Sequence, residues 1–140
     1  MKICKILLIF ILFSNCYNED EIFESSIPFR TLNSNETGIN FSNNLKYKTK
    51  LNIIEYLYYY NGGGVSVGDI NNDGLEDLYF SANLLPDRLY LNLGNMKFKD
   101  ISLEAGLNMD KSWSNGVNFE DINGDGFLDI YVTKVSPISS

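Results

Sequence analysis

The chain contains the stretch Asp69-Ile-Asn71-Asn-Asp73-Gly74-Leu75-Glu-Asp77, and it returns 52 residues later as Asp121-Ile-Asn123-Gly-Asp125-Gly126-Phe127-Leu-Asp129. Both copies place oxygen-bearing side chains at loop positions 1, 3, 5 and 9. Both place glycine at position 6, where a Cβ would obstruct a sharp turn. Hard cations such as Ca2+ take about six to eight oxygens, which these side chains and the carbonyl of position 7 can supply. The two copies therefore predict two cation-binding loops.

The similarity between the two copies extends beyond the loops. Residues 62–80 and 114–132 align without a gap, and nine of the 19 positions are identical. Solvated turns are also rich in Asp, Asn and Gly, but they need no fixed oxygen spacing. An EF-hand loop carries a bidentate Glu at position 12. That position is Phe80 in one copy and Val132 in the other, so the EF-hand pattern does not apply. Apolar residues alternate with period two on both flanks, so each loop is predicted to join two strands.

The first residues predict export. Residues 1–15 combine Lys2 and Lys5 with an eight-residue apolar run, which is too short to span a bilayer and fits a secretory signal. The segment resembles a bacterial lipoprotein signal, in which Cys16 would become the lipid-bearing N-terminus. An ordinary signal peptide cut elsewhere is the alternative. The acids at 19–21 resemble the surface-export signal of Bacteroidetes lipoproteins, and a solvated linker is the alternative. We expect an outer-membrane or cell-surface protein that contacts the membrane through this anchor.

Charge and residue usage limit the function. Removing residues 1–15 takes two lysines and no acid, so the net charge changes from −7 to −9. Such an acidic chain is a poor partner for nucleic acid. The sequence has no His, and the acids of the two loops are assigned to metal, while Glu55, Glu104 and Asp110 stand alone. We therefore predict no enzymatic activity. The alternative is an accessory or catalytic domain of a polysaccharide-processing enzyme.

The order of strand signals predicts an all-β fold. A polar tether at 16–36 precedes an N-terminal strand region at 37–61. In this region Tyr56, Tyr58 and Tyr60 would share one strand face. Their rings would either pack between sheets or form an exposed surface on which a sugar could stack. Residues 62–113 contain four strand signals, and 114–140 repeat the first part of this unit. A period of four short strands is typical of a β-propeller blade. The sequence predicts a partial β-propeller of about one and a half four-stranded blades.

Residues 62–80, together with Arg88-Leu-Tyr-Leu-Asn92 and Phe98-Lys-Asp-Ile101, resemble FG-GAP/VCBS repeats. The fuller pattern, over about residues 37–135, is similar to lipoproteins of the ASPIC/UnbV, cartilage-acidic-protein-like group. The resemblance implies a calcium-binding propeller segment whose partner is a surface protein or glycan, as yet unknown. Asn at loop position 3 replaces the more frequent Asp. The implied ligands are Asp69, Asn71, Asp73, Leu75 by its carbonyl, Asp77, Asp121, Asn123, Asp125, Phe127 by its carbonyl, and Asp129.

A closed propeller needs about four to eight blades. The chain is therefore expected to be an N-terminal fragment, with a small stand-alone β domain as the alternative. On this view the strand after the second loop would leave the apolar side chains of Leu128, Ile130 and Val132 uncovered.

Overall fold

The structure, a computed structural model, describes residues 29–46, 52–107 and 109–135. The chain divides into two units, Met1–Thr31 and Leu32–Ser140. The predicted signal at 1–15, the lipid-bearing Cys16 and the acids at 19–21 lie outside the described residues. All described elements belong to the second unit: α1 (Ser34–Thr37), β1 (Val65–Gly68), β2 (Asp77–Phe80), β3 (Arg88–Asn92), β4 (Phe98–Asp100), β5 (Trp113–Glu120) and β6 (Asp129–Val135).

Strands β1 to β4 form one antiparallel sheet in which the neighbours follow chain order. Gly68 pairs with Asp77, so the first acidic loop is the connection between β1 and β2. Tyr79 of β2 pairs with Leu89 of β3. A meander of four short strands is the architecture of a propeller blade.

Strands β5 and β6 form a second antiparallel sheet. Glu120 pairs with Asp129, so the second acidic loop joins these two strands as the first loop joins β1 and β2. The register shifts between Ser114 and Val117. The described residues thus contain one four-stranded sheet and one two-stranded sheet, and the all-β prediction is confirmed. Within these residues no helix has the length and apolarity needed to cross a membrane.

The hydrophobic core lies between the two sheets. Tyr79 and Leu89 of the first sheet pack with Phe119 of the second, and the rings of Tyr79 and Phe119 meet edge to face at 6.4 Å. Partly buried apolar side chains surround this centre. They are Ile70, Ile101, Leu107, Val117, Leu128, Ile130 and Val132.

The expectation that Leu128, Ile130 and Val132 would be uncovered is therefore wrong. These side chains pack against the core of the first sheet, because this face of the second sheet turns toward the preceding sheet. The corresponding face of the first sheet carries Phe80, whose ring stacks on Phe41 at 5.0 Å. Each sheet thus meets an element that precedes it in the chain.

The two sheets approach each other closely along β1. A Cβ built on Gly64 would lie 2.7 Å from the carbonyl oxygen of Asn115, and one built on Gly68 would lie 2.9 Å from the Phe119 ring. The burial pattern of β1 follows from this spacing. Ser66 and Gly68 are buried, whereas Val65 and Val67 are 57% and 56% exposed.

Hydrogen bonds join the sheets at the same place. The Ser81 hydroxyl accepts from the Gly64 N–H at 2.6 Å and donates to the Asn115 carbonyl. The Ser114 N–H donates to the Ala82 carbonyl at 3.0 Å. We call this line of main-chain and hydroxyl contacts the seam.

The predicted strand region at 37–61 contains no strand in its described residues, 37–46 and 52–61. Residues 34–37 instead form α1, where Asn33 and Glu36 make a reciprocal capping box. Gly38 ends this helix with φ +80°, a conformation that glycine adopts without strain.

Residues 52–60 form turns because Asn52 bonds locally. Its side-chain oxygen accepts from the N–H of Ile54 at 2.9 Å and of Glu55 at 3.3 Å, and its carbonyl accepts from Tyr56. Such side-chain bonds offer the backbone an alternative to a sheet ladder. The tyrosines therefore do not alternate as predicted. Tyr59 is fully buried, and Tyr58 and Tyr60 are exposed.

Candidate metal centre

Position 1 of each acidic loop organises the turn. One oxygen of Asp69 accepts from the N–H of Asp73 at 3.0 Å, and the other accepts from Gly74 at 2.7 Å. Asp121 accepts in the same way from Asp125 at 3.1 Å and Gly126 at 2.9 Å. The position-1 carboxylate therefore fixes positions 5 and 6 around itself in both copies.

Positions 3 and 5 also repeat their contacts. In the first loop the Asn71 amide oxygen accepts from the N–H of Asp73 at 3.1 Å, and its nitrogen donates to the Asp73 carboxylate at 2.9 Å. The corresponding distances in the second loop, between Asn123 and Asp125, are 2.9 and 3.1 Å. The position-5 carboxylate then accepts from the position-7 N–H, at 2.8 Å in the first loop and 2.9 Å in the second.

Position 9 closes each loop, but the two copies differ in burial. Asp77 and Asp129 each accept from the N–H of position 2 at 3.1 Å. Asp77 is fully buried, and its second oxygen accepts from the Asn92 N–H of β3 at 2.7 Å. Asp129 is only partly buried, because β6 has no strand beyond it in the described part of the chain.

The second loop holds its position-1 carboxyl in the ionised form. The hydrogen bond from the Gly126 N–H, helped by those from Gly124 and Asp125, lowers the pKa of Asp121 below its ordinary value. Desolvation of the carboxyl opposes this lowering of the pKa. Hydrogen bonds to the charged form of a carboxyl favour that form.

The donor set of each loop suits a divalent cation. Each loop supplies three carboxylates and one amide, which are the hard oxygen donors that calcium prefers. A carboxylate has about four lone-pair sites, and the N–H donors above use only some of them. Within residues 29–46, 52–107 and 109–135, however, no three acidic, His or Cys side chains gather into a group that could hold a metal ion. The donor chemistry fits calcium, and the ten ligand positions remain predictions.

The two loops contact each other directly, a feature that the repeat did not indicate. The side-chain nitrogen of Asn72 donates to the Gly126 carbonyl at 3.0 Å. Asn72 has φ +59°, and position 4 of the second loop is Gly124 with φ +76°. The shared backbone conformation allows either residue, but only asparagine carries a side chain that reaches the other loop.

Sequence reasoning also missed Asp87. This carboxylate is 6% exposed. One oxygen accepts from the hydroxyls of Tyr79 and Ser114, both at 2.9 Å, and the other accepts from the Ala82 N–H at 2.7 Å. Burial, together with this carboxylate, raises the pKa of Tyr79. No local pattern could have indicated the site, because the partner hydroxyls lie 8 and 27 residues away.

Two facing antiparallel sheets, each built from the same strand–loop–strand unit, define a repeat protein of the propeller-blade class. The comparisons agree with this class. Residues 69–132 match the family described as FG-GAP-like repeat. The resemblance to this family that was inferred from the two loops is confirmed over these residues.

The chain is also similar to cartilage acidic protein 1 of three vertebrates. Identity is 36% over 69 residues for Mus musculus, 30% over 104 residues for Xenopus tropicalis and 35% over 72 residues for Homo sapiens. The matches cover 49%, 74% and 51% of this chain, but only 11%, 16% and 11% of the relatives. No solved structure matches the chain.

Proposed function

We propose that this chain is an interaction segment of an exported, lipid-anchored protein, and that its two acidic loops bind calcium. The observation that carries the proposal is the repeated set of contacts in the loops. Both use the same side-chain oxygens and the same N–H donors at the same positions, and position 7 donates its N–H in both, although it is Leu75 in one loop and Phe127 in the other. An FG-GAP-like repeat supplies the interaction scaffold, and its partner would be a surface protein or glycan.

We also propose that the segment binds and does not catalyse. Asp100 and Glu104 line one cleft of about 330 Å3, and among the described residues this pair of acids is what favours a glycosidase-like alternative. Both acids are engaged, however. Asp100 pairs with Arg88 at 3.4 Å, and Glu104 pairs with Lys99 at 2.9 Å. A glycosidase needs one carboxylic acid that protonates the leaving group and a second carboxylate that acts as base or nucleophile. Two carboxylates held in ion pairs do not provide this combination.

Calcium binding gives the first test. We expect the purified chain to bind two Ca2+ ions with dissociation constants of about 10⁻⁴–10⁻³ M, the range of extracellular modules, and Mg2+ much more weakly. At millimolar Ca2+ each site would stabilise the fold by only about 0.4–1.4 kcal/mol. Asp73→Ala and Asp125→Ala should each remove one site in titration calorimetry, because each deletes a position-5 carboxylate.

The control is Glu104→Ala, which removes an exposed acid outside both loops. It should leave the stoichiometry at two. An unchanged stoichiometry in the Asp73→Ala/Asp125→Ala double variant would contradict the assignment of the ligands.

Membrane anchoring gives the second test. Cys16→Ser should move the protein from the membrane fraction to the soluble fraction, because the lipid-bearing thiol is lost. Replacing Glu19, Asp20 and Glu21 by alanine should keep the protein in the membrane fraction but protect it from protease added to whole cells. If the triple variant is digested as fast as the parent, the surface-export interpretation is wrong.

A further inference from the structure

A cleft of about 450 Å3 lies where the starts of the two repeats meet. Gly64 and Gly116, which occupy the same repeat position, both line it, so each repeat contributes to one site. None of the lining residues is charged, although the whole chain carries a net charge of −7. They are Tyr56, Tyr58, Asn61, Gly62, Gly63, Gly64, Asn115 and Gly116.

One side of the cleft is held rigid by Trp113. Its indole N–H donates to the side-chain oxygen of Asn115 at 3.0 Å. The indole is held in turn by Tyr56, which meets it edge to face at 5.3 Å, and by Tyr59 at 5.6 Å. The Asn115 oxygen is thereby fixed. Its NH2 group has no hydrogen-bond partner among the described residues and remains available as a donor.

The other side presents an exposed aromatic ring and a second amide. Tyr58 is 61% exposed and stands edge to face with Tyr56 at 5.8 Å. Within the described part of the chain, neither the Tyr58 hydroxyl nor the side-chain amide of Asn61 has a hydrogen-bond partner. The cleft therefore combines an apolar ring with uncharged polar groups.

We propose that this cleft binds a neutral pyranose unit of a glycan. The apolar C–H face of the sugar would lie on Tyr58, and its hydroxyls would bond to the amides of Asn115 and Asn61. An uncharged lining disfavours a charged ligand, because burial of an unpaired charge is costly. The volume lies within the range of about 300–1,000 Å3 that is common for ligand sites.

The same cleft is poorly suited to a peptide strand. Peptides that add to a sheet use unpaired backbone groups at an edge. Here the N–H of Gly64 already donates to Ser81, and that of Gly116 donates to Thr133 at 2.9 Å. The inference rests on the proposed interaction function and names the class of ligand.

The test uses the single tryptophan of the chain as the reporter. Trp113 bonds to Asn115, so a ligand in the cleft should change its emission. The full chain in detergent is titrated with cellotetraose, mannotetraose, galactotetraose and chitotetraose, and with tetragalacturonate as a charged comparison. We expect a saturable change with at least one neutral tetrasaccharide and none with the charged one. The titrations are repeated after chelation of calcium. Sugar binding should persist, because no residue of the two acidic loops lines the cleft.

Two variants separate the cleft from its surroundings. Tyr58→Ala should weaken binding about ten-fold or more, since a central aromatic contact is lost. Tyr60→Ala removes a neighbouring tyrosine that is 57% exposed and does not line the cleft. It should change affinity by less than about two-fold. If Tyr58→Ala alters the circular dichroism spectrum, Asn61→Ala replaces it, with the same expected direction.

The proposal is wrong if no neutral tetrasaccharide changes Trp113 emission, or if Tyr58→Ala and Tyr60→Ala weaken binding equally. Tighter binding of tetragalacturonate than of any neutral probe would also overturn it. Calcium stoichiometry and membrane fractionation decide the proposed function separately. Two measured calcium sites together with no sugar binding would remove only the glycan assignment.

Discussion

Asp87→Ala is expected to lower the free energy of unfolding by about 3–4 kcal/mol, because it leaves buried donors without an acceptor. The donors that lose their acceptor are the hydroxyls of Tyr79 and Ser114 and the N–H of Ala82. These donors belong to β2, to β5 and to the chain that follows β2, so the loss should loosen both sheets at once. Urea unfolding followed by circular dichroism and Trp113 fluorescence measures the effect.

A double-mutant cycle isolates the buried contact. Tyr79→Phe should cost less in the Asp87→Ala background than in the parent chain, because its hydroxyl has then already lost its acceptor. Glu104→Ala serves as the control, since its exposed ion pair with Lys99 should contribute less than about 1 kcal/mol. Additive effects of the Tyr79 and Asp87 substitutions would show that the two groups do not interact.

Gly64→Ala is expected to destabilise the fold by about 2–3 kcal/mol through overpacking at the seam. The new Cβ would lie 2.7 Å from the Asn115 carbonyl oxygen, 3.2 Å from the Val117 nitrogen and 3.3 Å from the Gly116 Cα. All three atoms are main chain of β5, so no side-chain rotation can relieve the contact. The sheets would have to separate, and thermal unfolding by circular dichroism would show a lower midpoint.

The second repeat supplies the matched control. Gly116 occupies the same repeat position, but a Cβ there meets only the Thr133 hydroxyl at 3.1 Å, which is a side-chain atom that can move. Gly116→Ala should therefore cost less than about 1 kcal/mol. Equal losses from the two substitutions would mean that the seam does not explain the requirement for glycine.

The sequence predicted the parts of the fold that depend on local chemistry. The strands that flank the two loops and the four-strand unit are where the alternation of apolar residues indicated. The alternation of Val65, Ser66 and Val67 identified β1 as a strand, and the structure buries Ser66 while the two valines are exposed. Small residues face inward there because β5 lies too close for a valine, and that distance is a tertiary property.

The remaining differences also come from contacts that a single sequence does not contain. The β-forming run at 52–60 was predicted as a strand, yet Asn52 bonds its own neighbours and produces turns. Tyr79 and Tyr131 are identical in the repeat, but one is 3% exposed and the other 60%. Only the first has a following sheet in the described residues to cover it. Asp87 was not identified from the sequence because its two partner hydroxyls are distant in the chain.

The seam has a consequence for how such repeats diverge. Its contacts are made by main-chain atoms, by one serine hydroxyl and by the absence of a Cβ at Gly64. Backbone atoms do not change when side chains are substituted, so the contacts of the seam are insulated from most mutations, whereas the core between the sheets and the Asp87 contacts are not. Lineages could therefore exchange the outward-facing residues of a unit freely while its neighbours continue to dock in the same place. Selection would act on the glycine and serine of the seam, on Asp87 and on the core between the sheets, and would leave the outward-facing surface open to acquire new specificities.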